Sequence, residues 1–278
     1  MSFFSFCPRR AGLIARVTLL EAMRQRLPQI LLLGAAGLAV GVQGLRGINF
    51  GLPELKFIAD LGFGGMVFFG SILTIFSGSH LFYSEIYGRS AVTVLAKPVS
   101  RTEFLAGKFI GMLGVAALFS VVMTMVIAFV LYTRESTLMQ ERPELFEHGG
   151  RLRYGDIFAA GFAYGLRFGV LAAFTLMIAS QVRSSLHAVM ASFGVLLICD
   201  LQYLAQEAYA HTGTTPLRLL AGLIALLFPD FQVFNLADLA GAEDGIQAEQ
   251  LWRVTGYALC YIAAAGALAV FSFKRREI

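Results

Sequence analysis

The sequence predicts an all-α, polytopic membrane protein with about six transmembrane helices. Of its 278 residues, 57% are hydrophobic and only 14% are charged, whereas about a quarter of the residues of a soluble domain are charged. The charged residues cluster between apolar runs of about twenty residues, the length that spans a bilayer core. No low-complexity linker and no repeat divides the chain, so we expect residues 1–278 to form a single membrane domain.

The apolar runs that are long enough to cross a membrane define the expected spans. They lie at 28–45, 61–83, 104–132, 156–180, 186–205 and 251–273. The third run should extend for roughly 43 Å at 1.5 Å per residue, so we expect this helix to tilt or to protrude. A seventh run, 217–228, is too short to cross. We interpret it as a re-entrant or interfacial segment on the outer face before the sixth span.

The distribution of basic residues predicts the orientation of these spans. With both termini inside, the cytoplasmic parts hold twelve Lys and Arg residues and the outer parts hold eight. This orientation is favoured because Lys and Arg accumulate on the cytoplasmic side of membrane proteins. It makes 84–103 a cytoplasmic loop and makes 133–155 and 206–250 extracytoplasmic loops.

A segment of mixed polarity separates the second and third spans. It reads FYSEIYGRSAVTVLAKPVSRTEFLAGKFIG, residues 82–111. One face of a short helix there would carry Tyr87, Ala91, Val94 and Leu95. The pattern alone favours a helix on the membrane surface, and the alternative is a docking site for a cytoplasmic partner.

The end of this segment contains signals for a helix stop and a new helix start. Pro98 should end the short helix, because its ring removes a hydrogen-bond donor and disfavours helical geometry at Lys97. Ser100 and Glu103 form an S-x-x-E capping box that should open the third span. One turn further on, Lys108 is expected to extend to the lipid headgroups.

The same segment resembles the cytoplasmic loop of ABC exporter permeases of the type-2 architecture. In that family a stretch of the form E-x-x-G-R/T-x-x-x-L-L-x-x-P-V-S-R-x-E-F-L-x-G-K lies between the second and third spans. The matching residues here are Glu85, Gly88, Arg89, Val94, Leu95, Pro98, Val99, Ser100, Arg101, Glu103, Phe104, Leu105, Gly107 and Lys108. The basic N-terminal segment, LFPDFQVFNLADL at 227–239 and the closing FSFKRREI are similar in layout.

The resemblance implies a coupling helix that docks on a separate cytoplasmic ATPase subunit. The implied docking residues are Glu85, Tyr87, Arg89, Val94, Leu95, Lys97, Pro98 and Arg101. It also implies that two permease copies, or two related chains, form the transport path in a bacterial inner (plasma) membrane. Residues 1–27 would then include an interfacial elbow helix, with a plain cytoplasmic extension of the first span as the alternative.

The chain offers no nucleotide site of its own. The G-x-x-x-x-G-K-[ST] motif does not occur, since AGKF at 106–109 lacks both the earlier glycine and the hydroxyl residue. We therefore expect a transport subunit that is not an enzyme, with ATP and Mg bound by the partner. We expect no metal site, because Cys7, Cys199 and Cys260 are far apart, and no nucleic-acid partner, because no basic stripe interleaves with aromatic residues.

Two features inside the predicted spans suggest helix contacts. Arg167 lies near the middle of the fourth span, where an arginine costs on the order of 2.5–3.5 kcal/mol. We expect a structural ion pair with Asp200 in the fifth span, although the two differ in depth by roughly 7 Å when counted from the outer ends. Glycines at spacings of four predict close helix packing. They are Gly107, Gly111, Gly161, Gly165 and Gly169.

The function expected from the resemblance is that of a permease subunit in an ATP-driven exporter. The charge-poor interior suits a lipid-like or amphipathic substrate. One alternative is a stand-alone ion-coupled secondary transporter that uses Arg167 and Asp200 as a relay. Another is a membrane anchor that recruits a cytoplasmic complex without transport. The outer loops, 133–155 and 206–250, are candidate docking sites for an extracytoplasmic partner.

Overall fold

The structure, a computed structural model, describes residues 8–41, 52–87, 101–141, 143, 152–204, 207, 222, 227–237 and 245–275. Its long elements are α1 (Pro8–Arg24), α2 (Arg26–Gly41), α3 (Leu52–Tyr87), α4 (Arg101–Glu141), α5 (Tyr154–Gln181), α6 (Ser185–Asp200) and α7 (Ala248–Arg275), with a short 3-10 turn at Phe231–Phe234. Within these ranges there is no β-strand. The all-α class is confirmed for the described part of the chain.

Four of the described helices are long and apolar enough to cross a membrane. Their qualifying stretches are Glu54–Ser84, Thr102–Glu141, Tyr154–Gln181 and Ala248–Phe273. They correspond to the second, third, fourth and sixth predicted spans. The first and fifth predicted spans correspond to α2 and α6, which have 16 residues each. A helix of that length extends about 24 Å, less than the ~30 Å hydrocarbon core, so the count of six remains a prediction.

The helices extend beyond the predicted spans. Helix α4 has 41 residues, roughly 61 Å at 1.5 Å per residue, and it continues to Glu141 into the loop predicted at 133–155. The physical reason is visible at Arg134, whose Nε lies 2.6 Å from Glu54 Oε1. Because the charges of this turn are paired with α3, the helix continues past the apolar residues. The predicted re-entrant segment, 217–228, lies almost wholly outside the described residues.

Helix α5 forms the centre of the bundle. It packs against α3, α4, α6, α7 and the 3-10 turn. Of its most apolar 18-residue window, 72% is buried, against 22% for α7. The α5 residues Gly161, Gly165 and Gly169 allow neighbouring helices to approach closely, which suits a helix at the centre of the bundle.

Helix α1 packs along the first turns of α4 through small side chains. A Cβ atom added to Gly107 would lie 2.6 Å from Ile14 Cβ, and one added to Gly111 would lie 2.6 Å from Thr18 Cβ. These contacts advance together along the chain, so α1 runs in the same direction as α4. The buried face of α1 consists of Ala11, Ala15, Thr18 and Ala22. The large apolar residues Leu13, Val17, Leu20 and Met23 are exposed.

The glycines of α5 make room for α4 and α7. A Cβ atom on Gly161 would collide with the side chain of Thr124, and one on Gly165 would lie 3.2 Å from Ser120 Oγ. At Gly169 the nearest atoms are Ile262 Cδ1 of α7 and Leu113 Cδ2 of α4, each at 3.3 Å. The absent side chains therefore allow three helices to approach closely.

We expect Gly111→Val to destabilise the protein by about 1–3 kcal/mol, the usual cost of overpacking a filled interior. The new side chain would meet Thr18 and the carbonyl oxygen of Ala15, which is 3.1 Å from the added Cβ. Thermal unfolding in detergent micelles measures the effect. Gly64→Val is the matched control, because nothing lies within 4 Å of its added Cβ. Equal unfolding midpoints for the two variants would contradict the close contact of α1 with α4.

Candidate functional site

Two helix ends border the segment for which the family resemblance predicts partner docking. Helix α3 runs to Tyr87 and α4 begins at Arg101, so Glu85 and Tyr87 belong to the last turn of α3. A third docking residue, Arg101, is the first residue of α4. The other five docking residues lie outside the described residues, as does Ser100. They are Arg89, Val94, Leu95, Lys97 and Pro98. The coupling helix and the capping box with Glu103 therefore remain predictions.

Three phenylalanines join these two helix ends to the end of α7. Phe82 of α3, Phe104 of α4 and Phe273 of α7 are fully buried. The ring centroid of Phe273 lies 5.9 Å from that of Phe82 and 6.2 Å from that of Phe104. These separations fall in the range that favours aromatic pairs. We call this group the aromatic clamp, and it sets the distance between α3 and α4 next to the segment.

A tyrosine ties the same end of α3 to the connection between α5 and α6. The Tyr83 hydroxyl donates to the carbonyl oxygen of Val182 at 2.7 Å and lies 3.2 Å from that of Ala179. The last carbonyls of a helix have no partner within the helix. Tyr83 supplies a hydrogen-bond donor to such a carbonyl at the end of α5. A displacement of α3 would therefore act directly on the connection between α5 and α6.

Helix α1 adds polar contacts to both α3 and α4. Glu21 Oε1 accepts a hydrogen bond from Ser84 Oγ at 3.4 Å, and Glu21 Oε2 lies 3.9 Å from Lys108 Nζ. Gln25 Nε2 lies 3.0 Å from His80 Nδ1 and donates to it when that nitrogen is unprotonated. Lys108 is 0% exposed, so the expectation that it extends to the headgroups is wrong. Helix α1 covers it and Glu21 supplies the opposite charge.

The structure brings Arg167 and Asp200 together in the middle of the bundle. Arg167 Nη2 donates to Asp200 Oδ1 at 2.5 Å, and Arg167 is 5% exposed. The expected depth difference of roughly 7 Å is absent. Helices α5 and α6 share a short connection, with Arg167 14 residues before Gln181 and Asp200 15 residues after Ser185. Counting from this shared connection, rather than from the outer ends, places the two side chains at one level.

A segment between α6 and α7 covers the ion pair. The guanidinium carbon of Arg167 lies 4.7 Å from the ring centroid of Phe231, a cation–π contact that partly replaces lost hydration. The Tyr164 hydroxyl donates to Asn235 Oδ1 at 2.7 Å, and the backbone N–H of Asp230 donates to the Tyr257 hydroxyl at 2.7 Å. Part of the segment that was predicted to be an extracytoplasmic loop, 206–250, is therefore packed between α5 and α7 in the bundle.

The sequence contained a usable signal for this buried segment. Pro229 and Asp230 precede Phe231, and Asp230 Oδ1 accepts a hydrogen bond from the backbone N–H of Gln232 at 2.9 Å, as expected of an N-terminal cap. Phe231 and Phe234 are both 0% exposed. Two aromatic residues three positions apart, next to a cap residue, indicate one buried helical turn. The prediction of a loop at 206–250 did not include this turn.

Ion pairs and hydrogen bonds also join the opposite ends of the long helices. Besides the pair of Arg134 with Glu54, the Tyr154 hydroxyl donates to Glu135 Oε2 at 2.5 Å. Asp156 Oδ1 accepts from the backbone N–H of Ile246 at 3.3 Å. These contacts connect the start of α3, the end of α4 and the start of α5, and they link α5 to the residues just before α7.

Several polar groups of the described ranges, among them Arg134 with Glu54 and Arg167 with Asp200, form contacts between helices. Within those ranges no three His, Cys, Asp or Glu side chains come close enough to hold a metal ion. Cys199 is buried in α6 and Cys260 is exposed on α7.

We expect Asp200→Ala to destabilise the protein by about 2.5–3.5 kcal/mol, the cost of an uncompensated arginine at mid-membrane. The double variant Arg167→Leu/Asp200→Ala should recover most of this loss, because it removes the buried charge as well. Chemical unfolding of the single and double variants in micelles measures both effects. A double variant that is as unstable as Asp200→Ala would contradict a compensating ion pair.

We expect Phe273→Ala to lower the free energy of unfolding by about 3–5 kcal/mol, the usual range for removing a buried phenylalanine ring. Hydrogen–deuterium exchange should also rise at the end of α3 and the start of α4, because both lose their shared contact. Phe271→Ala is the matched control, since Phe271 lies on the same helix and is 54% exposed. Exchange that rises equally in both variants would argue against the aromatic clamp.

Comparison with known protein families identifies the family of this chain. Residues 13–278 match the family described as ABC-2 family transporter protein, which confirms the resemblance over nearly the whole chain. No match was found among proteins of curated function. Members of this family are membrane components of transport systems and are typically not catalytic themselves. The chain therefore belongs to the ABC-2 transporter family, as a multi-pass permease.

Proposed function

We propose that this chain is the permease subunit of an ATP-driven exporter and that a separate cytoplasmic ATPase docks on residues 85–101. ABC-2 permeases generally work with such a partner. The docking residues are Glu85, Tyr87, Arg89, Val94, Leu95, Lys97, Pro98 and Arg101. ATP and Mg belong to the partner, because the sequence contains no phosphate-binding loop.

The observation that carries the proposal is the aromatic clamp beside the docking segment. Phe82 precedes the segment and Phe104 follows it, and both rings contact Phe273. Packed interiors transmit displacement because they have little free volume. Movement of the segment by the ATPase therefore acts on α3, α4 and α7 together, and through Tyr83 on the α5–α6 connection.

The proposed setting is a bacterial inner membrane with both termini in the cytoplasm. This orientation puts the docking segment, α1 and the α5–α6 connection on the cytoplasmic side, where Lys and Arg residues prevail. A second permease copy or a related chain completes the transport path. The transported molecule is lipid-like or amphipathic, and the outer loops are available for an extracytoplasmic partner.

A second candidate function is that of a stand-alone secondary transporter driven by an ion gradient. The one observation in its favour is Asp200, whose side chain is 33% exposed while it pairs with Arg167. Liposomes that contain this chain alone test it. Transport driven by an ion gradient would favour this function, and transport that requires ATP and a partner ATPase would exclude it.

A third candidate is a membrane anchor that recruits a cytoplasmic complex without transport. It uses the same docking segment, so binding of the ATPase does not separate it from the exporter. Stimulation of the ATPase by a transported molecule does, because an anchor has no pathway that a substrate can occupy.

We expect Leu95→Asp and Arg89→Glu to weaken binding of the ATPase by at least about tenfold, or 1.4 kcal/mol. Leu95→Asp puts a charge into an apolar contact and Arg89→Glu reverses one. Co-purification of the ATPase from mild detergent and substrate-dependent ATP hydrolysis are the measurements. Arg253→Glu is the matched control, because Arg253 lies at the opposite end of the bundle and its side chain is 77% exposed.

The Arg253→Glu variant should still bind the ATPase. It reverses an arginine charge, as Arg89→Glu does, but it lies far from the docking segment. If both docking variants bind the ATPase and stimulate hydrolysis like the unmodified protein, the docking role of the segment is wrong. If no ATPase accompanies the unmodified chain, the exporter itself is contradicted.

A further inference from the structure

A cavity of about 640 Å³ lies where the junction of α1 and α2 meets the last turns of α3 and the start of α6. Its volume falls within the usual range for a small-molecule site, about 300–1,000 Å³. The described residues that line it include none from the aromatic clamp, the Arg167–Asp200 ion pair or the predicted docking segment. The cavity is therefore separate from the site described above.

The cavity carries positive charge without a matching carboxylate. Arg26 lines it, is exposed, and forms no ion pair within the described part of the chain. No Asp or Glu is among the described residues of the lining. The carboxylate of Glu21, the acidic residue of α1, contacts Ser84 and Lys108 instead. Because opposite charges attract, the cavity favours an anionic group.

His80 adds a hydrogen-bond donor to the same cavity. Gln25 Nε2 donates to His80 Nδ1 at 3.0 Å, and both residues line the cavity. A neutral imidazole whose Nδ1 accepts a hydrogen bond carries its proton on Nε2. No described residue accepts a hydrogen bond from this second nitrogen. The Nε2–H group is therefore available to a ligand.

Ser77 supplies a buried hydroxyl to the wall of the cavity. It lies three residues before His80 on α3, lines the cavity and is 5% exposed. Its hydroxyl forms no hydrogen bond within the described part of the chain, yet it is not sealed from the surroundings as the Ser79 hydroxyl is. A polar group in this state gains free energy when a ligand that enters the cavity bonds to it.

The start of α6 contributes further donors beside these side chains. Ser185 lines the cavity and is the first residue of α6. The first N–H groups of a helix have no partner within it, and the side chain of Ser184 forms no cap hydrogen bond here. The positive end of a helix dipole attracts anions, so α6 adds to the charge preference that Arg26 establishes.

Apolar side chains line the cavity one helical turn deeper. Phe76 precedes His80 by one turn of α3, and Val189 follows Ser185 by one turn of α6. The end of α3 is bonded to the connection that precedes α6, so both steps lead from that end toward the middle of the bundle. Polar groups thus occupy the outer level and apolar groups the inner one, which is the order of a phospholipid headgroup and its chains.

The cavity is also open to the surroundings of the bundle. Leu186 in its lining is 66% exposed and Phe76 is 37% exposed. Helix α3 is of membrane-spanning length and α6 is a shorter apolar helix. A molecule that enters between them therefore comes from the membrane. A free phosphate would satisfy the donors but would leave the apolar wall uncovered.

We propose that this cavity binds an anionic phospholipid, with its phosphate at Arg26, His80 and the start of α6 and with the first carbons of a chain against Phe76 and Val189. The lipid belongs to the leaflet at the Arg26 end of the bundle. In the proposed orientation this is the cytoplasmic leaflet, which is rich in anionic lipids. Binding itself requires neither the ATPase nor transport.

Photolabelling of the full chain in phosphatidylcholine nanodiscs tests the site. The probes are phosphatidylglycerol and phosphatidylcholine, each carrying a diazirine near the ester end of one chain and used below saturation. We expect the phosphatidylglycerol probe to label the peptides that contain Phe76 and Val189 more strongly, because no carboxylate in the described lining accepts the cationic choline group. Equal labelling by the two probes, or labelling of other peptides only, would overturn the proposal.

Arg26→Gln should lower labelling by phosphatidylglycerol at least about tenfold, the worth of one hydrogen bond to a charged group. Labelling by phosphatidylcholine should change less. Arg16→Gln is the matched control, because Arg16 is also exposed and is not among the described residues of the lining. If the two variants are labelled equally by phosphatidylglycerol, the charge assignment is wrong and the proposal fails.

Ser77→Ala tests the buried hydroxyl without changing the charge. It should lower labelling by phosphatidylglycerol about two- to tenfold, the worth of one net hydrogen bond, and keep the preference over phosphatidylcholine. Labelling equal to that of the unmodified chain would remove Ser77 from the site.

Two further arms identify the occupant. Excess inorganic phosphate, compared with sodium chloride at equal ionic strength, should leave labelling unchanged, and loss of labelling would show that a free anion fills the site instead of a lipid. Replacing Leu186 by the photoreactive amino acid p-benzoylphenylalanine should give crosslinks to lipid. A covalent dimer of the chain would show that a second copy covers the cavity and would overturn the proposal. Because no ATPase is present, these outcomes are independent of the docking experiments.

Discussion

The ion pair of Arg167 with Asp200 is the interaction on which the centre of this structure depends. An uncompensated arginine at this depth costs on the order of 2.5–3.5 kcal/mol, so the chain supplies a carboxylate at 2.5 Å and an aromatic face at 4.7 Å. These partners come from different parts of the sequence. Their convergence fixes the register of α6 on α5 and holds the segment around Phe231 inside the bundle.

A second constraint is the close approach of helices, which depends on glycine. In lipid the apolar surface of a helix gains little from association, so contacts rely on fitted surfaces and hydrogen bonds. Gly107 and Gly111 admit α1 against α4, whereas Gly161 and Gly165 admit α4 against α5. The close packing of α5 therefore depends on the absence of side chains on one of its faces.

At the predicted cytoplasmic end, aromatic packing links the helices that flank the predicted docking segment. Phe273 contacts both Phe82 and Phe104, and Tyr83 hydrogen-bonds the end of α5. At the other end, Arg134 with Glu54 and Tyr154 with Glu135 join the long helices. The helices are therefore held together by side-chain contacts at both ends of the bundle.

The sequence alone was sufficient for the helical class, four of the membrane-length helices and the choice of Asp200 as a partner for Arg167. Those features follow from apolar run length and from the cost of a charge in hydrocarbon, which are local properties. Only the tertiary structure decided that α1 buries its alanine face, that Lys108 is covered and that Phe231 reaches the ion pair. Each of these features depends on which helices pack against each other. The periodicity of a sequence shows which residues share a helix face, but it does not show which other helix that face contacts.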